Sequence, residues 1–116
     1  MSTYTIHSRP KINLALDILG RDSTSSYHLI QTVFHELPGP VDEILIEELA
    51  EDKIIVESDN PALPLDETNT VFKAAAIFKK HFEKGGGVKI GFKFFIKKRI
   101  PLMSGLGGGS SNAAAV

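Results

Sequence analysis

Apolar and polar residues alternate over residues 12–18, where Ile12, Leu14, Leu16 and Ile18 are separated by Asn13, Ala15 and Asp17. A period of two predicts a half-buried strand. A polar, turn-rich stretch runs from Gly20 to Ser26. Residues 29–37 then predict a second strand, with Ile30, Thr32 and Phe34 on one face and Leu29, Gln31 and Val33 on the other. Pro38-Gly39-Pro40 ends it, because proline fixes φ and has no N–H to donate. Residues 43–49 and 53–57 are β-branched and joined by Ala50-Glu51-Asp52, which predicts a hairpin. Residues 59–67, with Pro61 and Pro64, read as loop.

The period then changes. Val71, Ala75, Phe78 and Phe82 recur at helical spacing, predicting a helix from Thr70 to Lys84 with an apolar stripe. Thr68 is the expected N-cap, and Asp66 and Glu67 suit the positive end. Gly85-Gly86-Gly87 closes the helix. Residues 88–96 return to alternation, with Val88, Ile90, Phe92, Phe94 and Ile96 on one face. There is no internal repeat. Strands, a helix, a strand, a glycine loop and the start of a second helix make an α+β order.

Composition narrows the function classes. At 116 residues the chain holds one small domain, and 42% hydrophobic content with a net charge of −1 describes a water-soluble fold rather than a disordered or membrane-spanning one. The absence of cysteine excludes disulfides, thiolate catalysis and zinc–thiolate sites, and fits a reducing compartment. The N-terminus lacks a basic region followed by an apolar stretch, so a cytoplasmic location is expected. Near-neutral charge makes nucleic acid or a membrane an unexpected partner. Any handling of phosphate must be local.

The local feature is the run Pro101-Leu102-Met103-Ser104-Gly105-Leu106-Gly107-Gly108-Gly109-Ser110-Ser111, followed by Asn112 and three alanines. Glycines let the backbone approach a ligand closely, and a helix start offers unpaired N–H groups under a favourable dipole. Loop and helix start together predict a phosphate cradle. The alternative is a flexible linker in which Ser110 or Ser111 only caps the helix. No lysine follows in Walker position, and Ser110 stands where a dinucleotide-binding loop needs its third glycine.

The run resembles the Pro-x-x-x-Gly-Leu-Gly-x-Gly-Ser-Ser-x-Ala-Ala pattern of the GHMP kinases. Arg9-Pro10-Lys11-Ile12-Asn13-Leu14 and Tyr27-His28-Leu29-Ile30-Gln31-Thr32 resemble two further segments of that superfamily's 4-diphosphocytidyl-2-C-methyl-D-erythritol kinases, which serve non-mevalonate isoprenoid synthesis. Where those kinases have Asp-Gly before Tyr-His, this chain has Ser25-Ser26.

The resemblance implies an N-terminal GHMP-kinase domain of the ribosomal protein S5 domain 2-like fold, covering residues 1–116 and incomplete, with the C-terminal domain and a catalytic aspartate beyond Val116. It implies ATP-dependent phosphorylation of the 2-hydroxyl of a substrate bearing a cytidine diphosphate group, with little turnover by this front portion alone. Lys11 would be catalytic, and Asn13, Tyr27 and His28 would hold the substrate. The loop residues 101–111 would wrap the ATP phosphates, with Asn69 and Lys98 flanking the nucleotide. Mg²⁺ is expected with ATP, without an assigned protein ligand. A missing C-terminal portion is the implied protein partner. Another GHMP small-molecule kinase, a non-catalytic nucleotide-binding module and a complementing module remain alternatives.

Overall fold

Eight elements are seen in a computed structural model that describes residues 3–25 and 27–116. Met1, Ser2 and Ser26, the last of them part of the polar stretch before Tyr27, lie outside the described residues. In chain order the elements are β1 (Thr3–Ser8), β2 (Lys11–Arg21), β3 (His28–Glu36), β4 (Asp42–Leu49), β5 (Ile54–Ser58), α1 (Thr70–Lys84), β6 (Gly91–Lys97) and α2 (Gly108–Ala115). The mixed sheet and helix content agrees with the α+β expectation. The strand β1 was not evident in the sequence, where Thr3-Tyr4-Thr5-Ile6-His7-Ser8 has one aliphatic side chain.

Four strands form the main sheet in the order β1-β4-β6-β5. The hairpin expected between β4 and β5 is not formed. Strand β6 lies between them, antiparallel to β4 and parallel to β5. The reason is apolar content: β6 carries Phe92, Phe94, Phe95 and Ile96, and a central position buries the most apolar surface. Helix α1 makes the crossover that a parallel β5–β6 pair requires.

The core lies between α1 and one face of this sheet. Ile44, Val56, Val71, Ala75, Phe94 and Ile96 are buried there, with Ile6, Ile46, Ile54 and Phe72 packed around them. On the other face charges meet across strands, Glu43 opposite Lys97 and Glu47 opposite Lys93. The buried stripe of α1 is Val71, Ala75 and Lys79 rather than the expected Val71, Ala75, Phe78 and Phe82. Lys79 is paired with Asp52, while Phe78 stacks on Phe82 with half of its surface in solvent. Val88 is exposed and precedes the strand, which starts at Gly91.

Strands β2 and β3 pair only with each other, as an antiparallel ribbon. Its register shifts between Asn13 and Ala15 and between Ile18 and Gly20. Leu14, Leu16, Ile18, Ile30, Val33 and Phe34 are all exposed along it. The ribbon's root, at Lys11, is where it meets the glycine loop.

Candidate functional site

The chain leaves β6 and turns into the loop through Pro101, Leu102 and Met103. Ser104 fixes that turn: its Oγ donates to the Pro101 carbonyl at 2.8 Å and accepts the Leu106 N–H at 3.3 Å. Met103, Gly105 and Gly107 have φ of 53°, 77° and 70°. Helix α2 begins at Gly108, with left-handed Gly107 as its cap. Neither Ser110 nor Ser111 caps the helix. The first helical hydrogen bond runs from the Ser111 N–H to the Gly107 carbonyl at 2.8 Å. The N–H groups of Gly108, Gly109 and Ser110 precede it and carry the helix's partial positive charge.

Lys11 reaches this loop from the start of β2. Its N–H donates to the Leu106 carbonyl at 2.8 Å. Its Nζ donates to Asn13 Oδ1 at 2.6 Å and to the Gly105 carbonyl at 2.9 Å, and stands 5.0 Å from the centre of the Phe34 ring. Asn13 is held in turn by Thr32, whose Oγ1 accepts from Asn13 Nδ2 at 2.9 Å and donates to the Ala15 carbonyl at 2.6 Å. The left-handed backbone favours glycine at position 107, where a Cβ would also sit 2.9 Å from Lys11 Cε and push that side chain aside. Between the ribbon root and the loop lies an open cavity of about 680 Å³, lined by Arg9, Lys11, Phe34, Gly105, Gly107 and Ser110, among others. Lysine, loop carbonyl and helix start thus face one space.

The other residues singled out from sequence are distributed differently. Tyr27 and His28 stand at the far end of the ribbon, where His28 pairs with Arg21, while Lys11 pairs with Glu36 at the root. At roughly 3.3 Å per residue the two ends are on the order of 30 Å apart along the strand. The structure does not bring Tyr27 and His28 to Lys11. Asn69, rather than Thr68, caps α1: its Oδ1 accepts the Val71 N–H at 2.8 Å and its Nδ2 donates to the Pro64 carbonyl at 2.7 Å. Both ends of that buried amide are therefore engaged within the fold. The starts of the two helices touch, Thr70 Oγ1 donating to the Gly109 carbonyl at 2.8 Å.

Lys98 is buried rather than flanking the cavity. Its Nζ donates to Asp42 Oδ2 at 2.6 Å and to Asn112 Oδ1 at 3.1 Å, beneath Gly108. Its neighbours are also paired, Lys97 with Glu43 at 3.0 Å and Arg99 with Asp59 at 2.8 Å. The Lys97 hydrogen bond holds the Glu43 carboxyl below its usual range, and the Arg99 hydrogen bond with the Lys98 N–H does the same for Asp59. Each cation of the basic triplet is thus matched to a carboxylate.

Sequence reasoning missed three buried polar residues behind the loop. Asn112 donates to Ser8 Oγ at 2.8 Å and to Asp42 Oδ2 at 3.0 Å, and Ser8 Oγ donates to Ser111 Oγ at 2.8 Å. Burial pushes the Asp42 carboxyl up, but hydrogen bonds from Lys98, the Ile100 and Arg99 N–H groups and Asn112 outweigh it and hold it low. The one sequence signal was Asn112 itself, an amide with poor helix propensity set among alanines. Among the described residues no group of three or more His, Asp or Glu side chains could hold a metal ion. Among the described residues no helix is long and apolar enough to cross a membrane.

Residues 69–116, which include α1, β6, the loop and α2, match the family model of the GHMP kinases N terminal domain. Over 116 residues the chain is 43% identical to the 4-diphosphocytidyl-2-C-methyl-D-erythritol kinase of Clostridioides difficile (strain 630), covering 100% of itself and 37% of that protein. It is 41% identical over 114 residues to the enzyme of the same name from Thermosynechococcus vestitus, covering 97% of itself and 35% of the relative. The chain therefore spans little more than a third of the length of these curated relatives. A crystal structure of a 4-(cytidine 5'-diphospho)-2C-methyl-D-erythritol kinase superposes with a TM-score of 0.67 at 28% identity, over 96% of this chain and 37% of that one. The homoserine kinase of Cytophaga hutchinsonii superposes with a TM-score of 0.67 at 20% identity, over 97% of this chain and 32% of that one, a likeness of fold alone.

Proposed function

We propose that this GHMP-type chain supplies the nucleotide-binding part of an ATP-dependent small-molecule kinase. One observation carries the reading: Lys11 Nζ lies 2.9 Å from the Gly105 carbonyl, across a shared cavity from the start of α2. In this reading the β- and γ-phosphates of ATP rest on the amides between Ser104 and Ser111, which are aimed by the loop and cost no reorganisation at the moment of reaction. Lys11, an ammonium with one donor to spare, adds charge where the transferring phosphoryl group becomes more negative. Asn13 orients Lys11 and meets the acceptor hydroxyl. The bond from the γ-phosphorus to its bridging oxygen breaks, a bond to the substrate oxygen forms, the hydroxyl releases its proton to solvent, and ADP departs. Mg²⁺ would arrive with the nucleotide and neutralise phosphate charge; no residue described here is assigned to it.

The acceptor in this reading carries a cytidine diphosphate group, and the reacting group is the 2-hydroxyl of 4-diphosphocytidyl-2-C-methyl-D-erythritol. Support comes from the names of relatives at about two-fifths identity over the whole chain. Tyr27 offers a face for the base and His28 a ring N–H for its edge. Their place at the ribbon tip requires the ribbon to bend toward the loop, and its two register shifts are where such a ribbon bends. A cytoplasmic enzyme fits the cysteine-free composition.

Calorimetric titration of the 116-residue chain with ATP and Mg²⁺ tests the nucleotide reading. The expected result is saturable binding that Gly107→Ala weakens at least tenfold, because the new Cβ meets Lys11 and left-handed backbone disfavours alanine. Absence of binding by the unaltered chain would overturn it. Turnover of the cytidyl substrate is expected to be slight.

A further inference from the structure

Asp42 is the first residue of β4, and its side chain is wholly buried. Its Oδ1 accepts the N–H groups of Arg99 and Ile100, the latter at 2.8 Å, and its Oδ2 accepts from Lys98 Nζ at 2.6 Å and Asn112 Nδ2 at 3.0 Å. Arg99 and Ile100 are the last residues before the glycine loop, and Asn112 lies in α2 just after it. One carboxylate thereby grips both ends of the same loop.

A buried ion pair is a poor way to gain stability, since desolvation offsets most of the attraction, and apolar replacements of similar volume often fold as well or better. What it offers here is direction. The four donors come from two separate stretches, and each satisfied bond fixes one end of the loop relative to the other. Lys98 Nζ would lie 2.9 Å from a Cβ on Gly108, so the ammonium also props the first turn of α2 from beneath.

We propose that Asp42 is a positioning residue for the anion-facing loop, setting the distance between the β6 exit and the α2 start and hence the aim of the Gly108, Gly109 and Ser110 N–H groups. What the loop holds rests on the kinase reading above; the brace itself does not.

The test compares Asp42→Asn with Ile96→Val, a core change remote in chemistry from the loop, by amide hydrogen exchange and by ADP titration of the 116-residue chain. In Asp42→Asn the amides of residues 107–111 are expected to exchange at least tenfold faster relative to those of β4 and β6, and the ADP dissociation constant to rise at least tenfold. Ile96→Val changes overall protection and leaves that ratio unaltered. Equal ratios in the two variants would overturn the proposal. Should Asp42→Asn not fold, Asn112→Ala removes one strut while improving helix propensity, so faster loop exchange cannot come from a weaker helix. A threefold rise supports the brace, and no change sinks it. If the unaltered chain binds no ADP, the nucleotide reading fails separately and the exchange ratio alone decides about Asp42.

Discussion

The two faces of the candidate cavity are built to opposite standards. On the loop side the polar supports behind α2 are buried: Ser8, Asp42, Lys98 and Asn112 are each less than a tenth exposed and joined by hydrogen bonds, above a core of Ile44, Phe94 and Ile96. On the ribbon side Leu14, Leu16, Ile18, Ile30, Val33 and Phe34 are each about half or more exposed, and two strands pair with nothing else. A two-stranded ribbon is marginally stable by itself. In the kinase reading proposed above, the difference would place phosphate handling on the buried scaffold and substrate selection on the exposed ribbon. A loop that must aim three N–H groups needs the first; residues that must close over a varied organic group tolerate the second.

The largest way to break this contrast is to damage the rigid side. Ile44→Ala removes a fully buried side chain from the centre of the sheet, and such truncations cost about 2–5 kcal/mol. Urea denaturation followed by far-ultraviolet circular dichroism should show the midpoint falling sharply or the chain unfolded in buffer. A loss below about 1 kcal/mol would mean that the main sheet is not the stabilising unit.

Acid offers a gentler test of the same side. The Asp42 carboxyl is held below its usual value in the fold, whereas an unfolded aspartate titrates near ~3.9. The stability it contributes is therefore complete above the unfolded value and is lost as pH falls through the folded one. Partly exposed Glu43 and exposed Asp59 shift in the same direction and are screened by solvent. Stability measured from pH 6 downward should drop in the unaltered chain, with a shallower acid limb in Asp42→Asn. Parallel limbs in the two proteins would remove Asp42 from the acid response.

How far the sequence could be read follows from the same contrast. Elements with a clean local period were legible: α1 spans Thr70–Lys84 as the spacing of Val71 and Ala75 indicated, and the glycine loop feeds a helix. What failed depended on partners distant in the chain. Nothing local to residues 53–57 says that their neighbour is β6 in parallel, since a short turn before them reads equally as a hairpin. Lys11 and the loop were both singled out, yet their contact spans 94 positions and needed coordinates. Lys98 and Asn69 were recognised as special but assigned outward roles, because a buried lysine or a capping amide has the same letters as an exposed one. Asp42, two residues after a proline, left no trace at all.

The ribbon supplies the smallest expected effect and the sharpest discrimination. Leu16→Ala removes a side chain that is already more than half in water, on a strand whose neighbours pack against no core. Surface changes of this kind cost no more than about 0.5 kcal/mol, so the urea midpoint should stay close to that of the unaltered chain. Amides of β2 and β3 beyond Ala15 should exchange by local opening, well before those of β4 and β6, and Leu16→Ala should leave both rates nearly unchanged. A loss comparable to that of Ile44→Ala would show that the ribbon's apolar side chains are covered in solution, by a second copy or by folding back. Concentration dependence separates those two, because a cover supplied by another molecule dissolves on dilution and one supplied by the same chain does not.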